Sequence, residues 1–404
     1  MRATEIGVIV SLLTAAATSA LAGQEPHPPD HVHAAPGASW TWSTDANVFF
    51  GYNYQERKAN AADFTAWESQ NWFMLDGSRA AGPGRLTLQG MISLEAFTLD
   101  RPWGSPQLFQ TGESKDRTPL VNYQHPHDLL MNLGARYRIE RPRVTYVFEA
   151  DLVGSPSLGP TAFMHRESAR SNPQVPLAHH SLDSTHITPG VLRAGVETGA
   201  FTFEASAFRG EEPDENRLNI ERPRLDSWAG RVGWRRGAWQ AQFSSGRLRE
   251  PEWFEPYDES RLTASVGFTG AIGGRALAAT AAWGENHHDN GFNDTDDSYL
   301  IEWDLRATRS STTYGRVERT VKQILGLGLH PRGLNHKHAY STIDAMTLGY
   351  VRELPAMAGS RLGIGGDVTI YGMSTDIVDF FDGSRSFHLF VRWRPAASSA
   401  AHIH

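Results

Sequence analysis

Tyr299-Leu300-Ile301-Glu302-Trp303-Asp304-Leu305-Arg306-Ala307-Thr308 is the stretch that decides the fold. Tyr299, Ile301, Trp303, Leu305 and Ala307 share one parity, and Leu300, Glu302, Asp304, Arg306 and Thr308 share the other. A period of two is the period of a strand whose faces meet different surroundings. Upstream, Val144, Tyr146, Phe148, Ala150 and Leu152 oppose Arg143, Thr145, Val147, Glu149 and Asp151 in the same way. Charges keep to one face. Lipid would impose that rule, because a charge at the bilayer midplane costs about 2–4 kcal/mol.

Working outward, sixteen segments of this kind can be marked between Ala46 and Arg394. Their connections alternate. After odd segments they are long and polar; after even ones they are a few residues, as in Ala80–Gly84, Arg141-Pro142, Thr198–Ala200 and Arg236-Gly237. Gly and Pro there supply turn angles and stop the strands. The pattern predicts an all-β fold: a transmembrane antiparallel β-barrel of about 16 strands, with short periplasmic turns and long extracellular loops. Trp72, Tyr137, Trp228, Trp234, Trp239, Trp283, Tyr350 and Trp393 are assigned to the apolar face, as interfacial aromatic girdles. No repeat of fixed period speaks for a propeller or β-helix.

The N-terminus agrees with export. Arg2, the mostly apolar Ile6–Ala17 and Ala20-Leu21-Ala22 read as a signal peptide over residues 1–22. A flexible His/Pro periplasmic tail is expected over 23–39, the barrel over 40–395 and a C-terminal tail over 396–404. The absence of Cys excludes a disulfide framework. A mean hydropathy of −0.41 looks soluble, but alternating faces cancel in such an average. A net charge of −7 excludes nucleic acid as the expected partner.

The mature chain resembles a Gram-negative outer-membrane porin in its leader, its strand number and its last strand, Phe387-His388-Leu389-Phe390-Val391-Arg392-Trp393. It differs in continuing through Arg394–His404, and it carries no motif specific to one porin family. The resemblance implies an outer-membrane location, partnership with membrane lipids and the barrel-assembly machinery, and a homotrimer. It also implies passive passage of small hydrophilic solutes or ions, without a required cofactor. A third loop folded into the lumen is implied as well.

That loop is Val153–Ser184, expected to run extended because of Pro156, Pro160, Pro173 and Pro176. Its His165, Arg166, Glu167, Arg170 and Asp183 are the candidate constriction residues. Arg136, Arg138, Glu149, Asp151, Glu302, Asp304, Arg306 and His388 are candidate lumen residues, a mixed set, whereas selective pores usually line up one sign. Glu95 is counted with them, on a strand drawn from Arg85 to Thr98.

Histidine supplies the alternative reading. Of seventeen, most fall in long connections or tails. His125, His127, His179, His180, His186, His287, His288, His336 and His338 are candidate metal ligands, because neutral imidazole suits Cu or Zn and neighbouring Asp can orient the ring. The tails add His27, His31, His33, His402 and His404. Transition-metal binding or transport is therefore the second expectation. A surface hydrolase using His179, His180, Asp183, Ser184 and His186 is a third, although neither a nucleophile elbow nor a His-Glu-x-x-His helix is present.

Overall fold

The computed structural model describes residues 39–56, 63–99, 104–111, 114–115, 118–252, 256–291, 294–323, 340–355, 359–374 and 383–395. The expected signal peptide and C-terminal tail lie outside them, as do His27, His31, His33, His336, His338, His402 and His404.

Sixteen strands form the wall: β1 (Thr41–Gln55), β2 (Asn71–Ala81), β3 (Gly84–Ile92), β4 (Leu130–Arg141), β5 (Val144–Gly154), β6 (Thr188–Thr198), β7 (Phe201–Phe208) and β8 (Ser227–Arg236). They continue as β9 (Trp239–Leu248), β10 (Glu259–Ile272), β11 (Arg275–His288), β12 (Thr295–Thr308), β13 (Ser311–Gln323), β14 (Tyr340–Glu353), β15 (Ser360–Ser374) and β16 (Arg385–Pro395). Each pairs antiparallel with the next. Pairing of β1 with β16, from Val48↔Trp393 to Gln55↔Ser386, closes the barrel and leaves no open edge. The short strand Phe64–Glu68 adds to the loop end of β1.

The two faces separate as alternation requires. Every strand except β11 presents at least one exposed large apolar side chain, among them Phe50, Leu75, Phe148, Phe243, Ile301 and Leu348. An apolar outer band of this kind fits a bilayer. Inside lie Glu149, Glu302, Arg316, Asp367 and Arg392, all buried. At the tight-turn end, Gly199 and Gly237 take φ of +57° and +60° with open space around them. Those angles favour glycine.

Three local expectations are corrected. β3 stops at Ile92 rather than running to Thr98, because side chains replace its ladder. Asn71 Oδ1 accepts from the Leu94 amide at 2.7 Å, and the Thr98 hydroxyl donates to the Ser69 carbonyl at 2.7 Å. The chain turns there into α1 (Glu95–Thr98). Glu95 is thus a loop residue, not a strand residue.

Trp72 points inward, not to lipid. Leu75 is the exposed residue of β2, so Trp72 and Met74 fall on the lumen side, where Trp72 meets the His165 ring at 4.8 Å. Residues 72–75 are apolar at both parities, and alternation alone does not orient them.

The connection after β5 is not uniformly extended. It holds single 3-10 turns at Phe163–His165, Glu167–Ala169 and Ser184–His186, and the one-turn α2 (His179–Leu182). Its prolines stand outside these turns, where their missing N–H costs nothing.

Candidate functional site: the loop-filled lumen

The segment from Ser155 to Ile187 lies inside the barrel and is buried along nearly its whole length. Its groups hydrogen-bond to inward side chains of ten strands: β1, β7 through β13, β15 and β16. The Gly159 amide donates to Ser244 Oγ at 2.8 Å, and the Ala178 amide to Glu318 Oε1 at 3.1 Å. On the opposite wall, Arg392 Nη1 donates to Ser171 Oγ at 2.7 Å.

The central strut is ionic. Arg166 donates through Nε to Glu302 Oε1 at 2.7 Å and through Nη1 to Asp183. Glu302 also accepts from Ser168 Oγ at 2.9 Å and from Arg316 Nε at 3.1 Å, and Arg316 reaches on to the Gln174 carbonyl at 2.8 Å. Burial pushes the Asp183 carboxyl upward, but Arg166 and then His179 outweigh it and hold it well below the usual carboxylate range. Ionic groups this deep persist only when paired, since removing one partner strands a buried charge.

Of the five residues expected at a constriction, Arg166 and Asp183 therefore brace the loop against the wall. His165 lies against Trp72. Glu167 and Arg170 pair with each other at 2.7 Å on a more open face, and Arg170 also approaches Asp45 at 3.7 Å.

Sequence reasoning missed a second inward segment. Between β3 and β4, Leu108 and Phe109 are fully buried and pack with Leu177, Ile343 and Tyr371. Asn53 donates to the Pro106 carbonyl at 2.7 Å, and Gln107 donates to the Val175 carbonyl at 2.7 Å. The pair Leu108-Phe109 inside a polar connection was the available signal: two apolar side chains with nothing local to cover them.

Together the two segments occupy much of the loop half of the lumen. The turn half keeps a cavity of about 460 Å³, floored by Pro156–Arg166 and walled by β2 through β11. Its charges interlock: Arg138 donates to Glu197 at 2.8 and 2.7 Å, Arg231 to Glu204 at 2.8 Å, and Arg136 and Arg193 both to Glu149. Asp151 is buried beside a bulge between β4 and β5. Elsewhere His388 Nδ1 meets Asp367 Oδ1 at 2.7 Å, Asp304 is half-buried, and Arg306 is exposed toward the turns.

Folding also gathers histidines from two connections. His127 and His186 have ring centroids 5.4 Å apart, His179 and His186 5.1 Å, and His179 and His180 5.6 Å; His125 stands 6.4 Å from His127. His127 Nδ1 meets Glu95 Oε2 at 2.7 Å, His179 Nδ1 meets Asp183 Oδ1 at 2.7 Å, and His186 Nδ1 faces the Asp183 carbonyl at 2.8 Å. Burial, then the adjacent His179 and His127, holds His186 well below its ordinary value. Glu95 is pushed up by burial, but the His127 ring and amide outweigh that and hold it low.

His287 and His288 stand apart, at the end of β11, where His288 meets Asp296 at 3.1 Å. Among the described residues, no three or more His, Cys, Asp or Glu side chains are arranged to hold a metal ion. Ser184 Oγ accepts from Arg261 at 2.9 Å, so its bond is with a cation.

No protein-family model and no curated protein matches this chain. Solved structures do match it in shape. An anion-selective porin from Comamonas acidovorans aligns over 88% of this chain and all of its own, at 11% identity and a TM-score of 0.52. Salmonella typhi OmpF, solved with daunomycin, aligns over 87% and 97% at 8% identity and 0.55. OmpT of Vibrio cholerae, in a trimer form, aligns over 88% and 100% at 11% and 0.52. At such identities the likeness carries the fold: this chain is built as the outer-membrane β-barrels of Gram-negative bacteria are.

Proposed function

We propose that the protein is an outer-membrane channel for small hydrophilic solutes or ions, with Ser155–Ile187 setting its narrowest point. The observation that supports this reading most is the pinning of that segment to ten strands across the lumen, above a cavity of about 460 Å³ with charged walls. A loop held on opposite walls leaves a solute only the gaps beside it. The charges lining those gaps would replace part of the solute's hydration and filter by size and sign.

Arg138, Glu197 and Arg231 line the cavity below the loop, while Glu167 and Arg170 form the pair on its open face. Arg166 and Asp183 act by keeping the loop in place. The likeness to an outer-membrane protein solved in a trimer form supports a homotrimer as the assembly.

The test is conductance of the refolded full chain in a planar bilayer. Small, steady, ohmic steps are expected, growing when Arg166→Ala frees the loop. No steps in either protein, once insertion is verified by protease protection, overturns the reading.

A further inference from the structure

Where the inward loop meets β2, β3 and β4, the lumen holds an assembly that neither a channel nor its constriction requires. Four of the chain's eight methionines, Met74, Met91, Met131 and Met164, lie in one buried cluster with Trp72 and Phe163. Phe163 is also the contact to the imidazoles, with its ring centroid 6.0 Å from His127 and 6.1 Å from His186. The cluster stands between two cavities. Met164 and His127 line one of about 40 Å³, while Met74, Met91 and His186 line the larger one on the turn side.

The imidazoles are prepared as ligands. Each ring has its Nδ1 engaged, His127 with the Glu95 carboxylate and His186 with the Asp183 carbonyl. Each leaves its Nε2 buried with no hydrogen-bond partner among the described residues, in side chains of residues only 5% and 9% exposed. A carboxylate or carbonyl on one ring nitrogen with the other left free is how proteins aim histidine at a metal. A buried imidazole nitrogen without a partner is otherwise costly.

The ligand types select the ion. Thioether sulfur is soft and uncharged, and it attracts neither Mg²⁺ nor Ca²⁺, which take oxygen. Among the described residues no three His, Asp or Glu side chains form a set for a metal, so a site at these two imidazoles would draw its further ligand from the neighbouring thioethers. Imidazole with thioether suits soft monovalent copper. We infer that His127 and His186, with a thioether of the Met74–Met91–Met131–Met164 cluster, form a Cu(I) site inside the barrel. Met164, which shares a cavity wall with His127, is the first candidate for the sulfur ligand. Met74 and Met91 line the approach from the turn side.

The site is tested on the full chain purified in detergent, anaerobically, by competition with a chromogenic Cu(I) chelator. X-ray absorption then reads the neighbours of the bound metal, with Ag(I) as a redox-silent substitute. One Cu(I) per chain is expected, with both nitrogen and sulfur as neighbours. His186→Gln and His127→Gln should each weaken binding by about tenfold or more. A Met74, Met91, Met131 and Met164 to Leu variant, which conserves core volume, should bind at least as weakly and lose the sulfur signal. His288→Gln, remote from the cluster, should match the parent.

Equal binding by the parent and the four-leucine variant would reduce the methionines to packing and overturn the inference. So would nitrogen and oxygen neighbours alone, or displacement of Cu(I) by equimolar Zn²⁺. Because binding in detergent reads no current, this result stands or falls separately from the conductance measurement.

Discussion

The two halves of the lumen are built from the same sixteen strands and differ in what the connections do. In the turn half, charged side chains cross-link to one another and leave a cavity of about 460 Å³. In the loop half, backbone from two connections takes that space, and strand side chains bond to loop amides and carbonyls instead. A turn of two residues has no chain to spare for the interior; a connection of thirty or so does. The polarity of the inner face is thus used in two ways, as a hydrated wall below and as a docking surface above.

Arg166→Ala should break this contrast most strongly, because it leaves Glu302 and Asp183 buried with reduced compensation, a loss of about 3–5 kcal/mol. Thermal unfolding of the inserted barrel should fall accordingly, and protease should gain access to the loop. Unchanged melting would mean that the loop is held by its neutral bonds alone.

Acid should act next, on the same strut. Asp183 is held below its unfolded value of about 3.9, so its stabilisation is full above that pH and is lost as pH falls through the lower folded value. Protease sensitivity of the loop should therefore rise between pH 4 and pH 2. Asp183→Asn should abolish that rise and start from a looser loop. A pH profile identical in parent and variant would assign the acid response to other carboxyls.

Ile187→Val, in the packed loop half, should cost about 0.5–1.5 kcal/mol through one lost methylene. Glu197→Gln, in the turn half, should cost least, about 0.2–1 kcal/mol, because its pair with Arg138 is partly hydrated. Its effect should appear instead in the ion selectivity measured from reversal potentials. Reversal of these two magnitudes would mean that the cavity, not the loop packing, is the rigid part.

Legibility in the sequence divides along a related line. Tyr146, Phe148 and Leu152 on β5, or Tyr299 and Ile301 on β12, announce their faces because lipid allows one parity and not the other. That local rule locates strands, turns and the closed architecture. The interior obeys no such rule. Trp72 and Met74 point inward because a loop more than eighty residues later offers Phe163 and His165 as neighbours. Glu95 leaves its strand for His127, and Leu108 and Phe109 vanish beneath Tyr371. The histidine pairs drew attention as loop residues, yet their convergence depends on two connections folding inward together. Only the fold supplies that.

The contacts of the inward loop with the seam have a consequence for the order of events in assembly. Arg170 offers its carbonyl to Asn47 of the first strand at 3.1 Å, and the adjacent Ser171 accepts from Arg392 of the last strand. These contacts span 123 and 221 residues of chain, separations that make a search slow. Once the middle of the chain is seated, it holds both ends to neighbouring residues, and a pairing of two distant termini becomes nearly local. The loop that divides the finished lumen is in this sense a template for its closure, and barrels lacking it should close late.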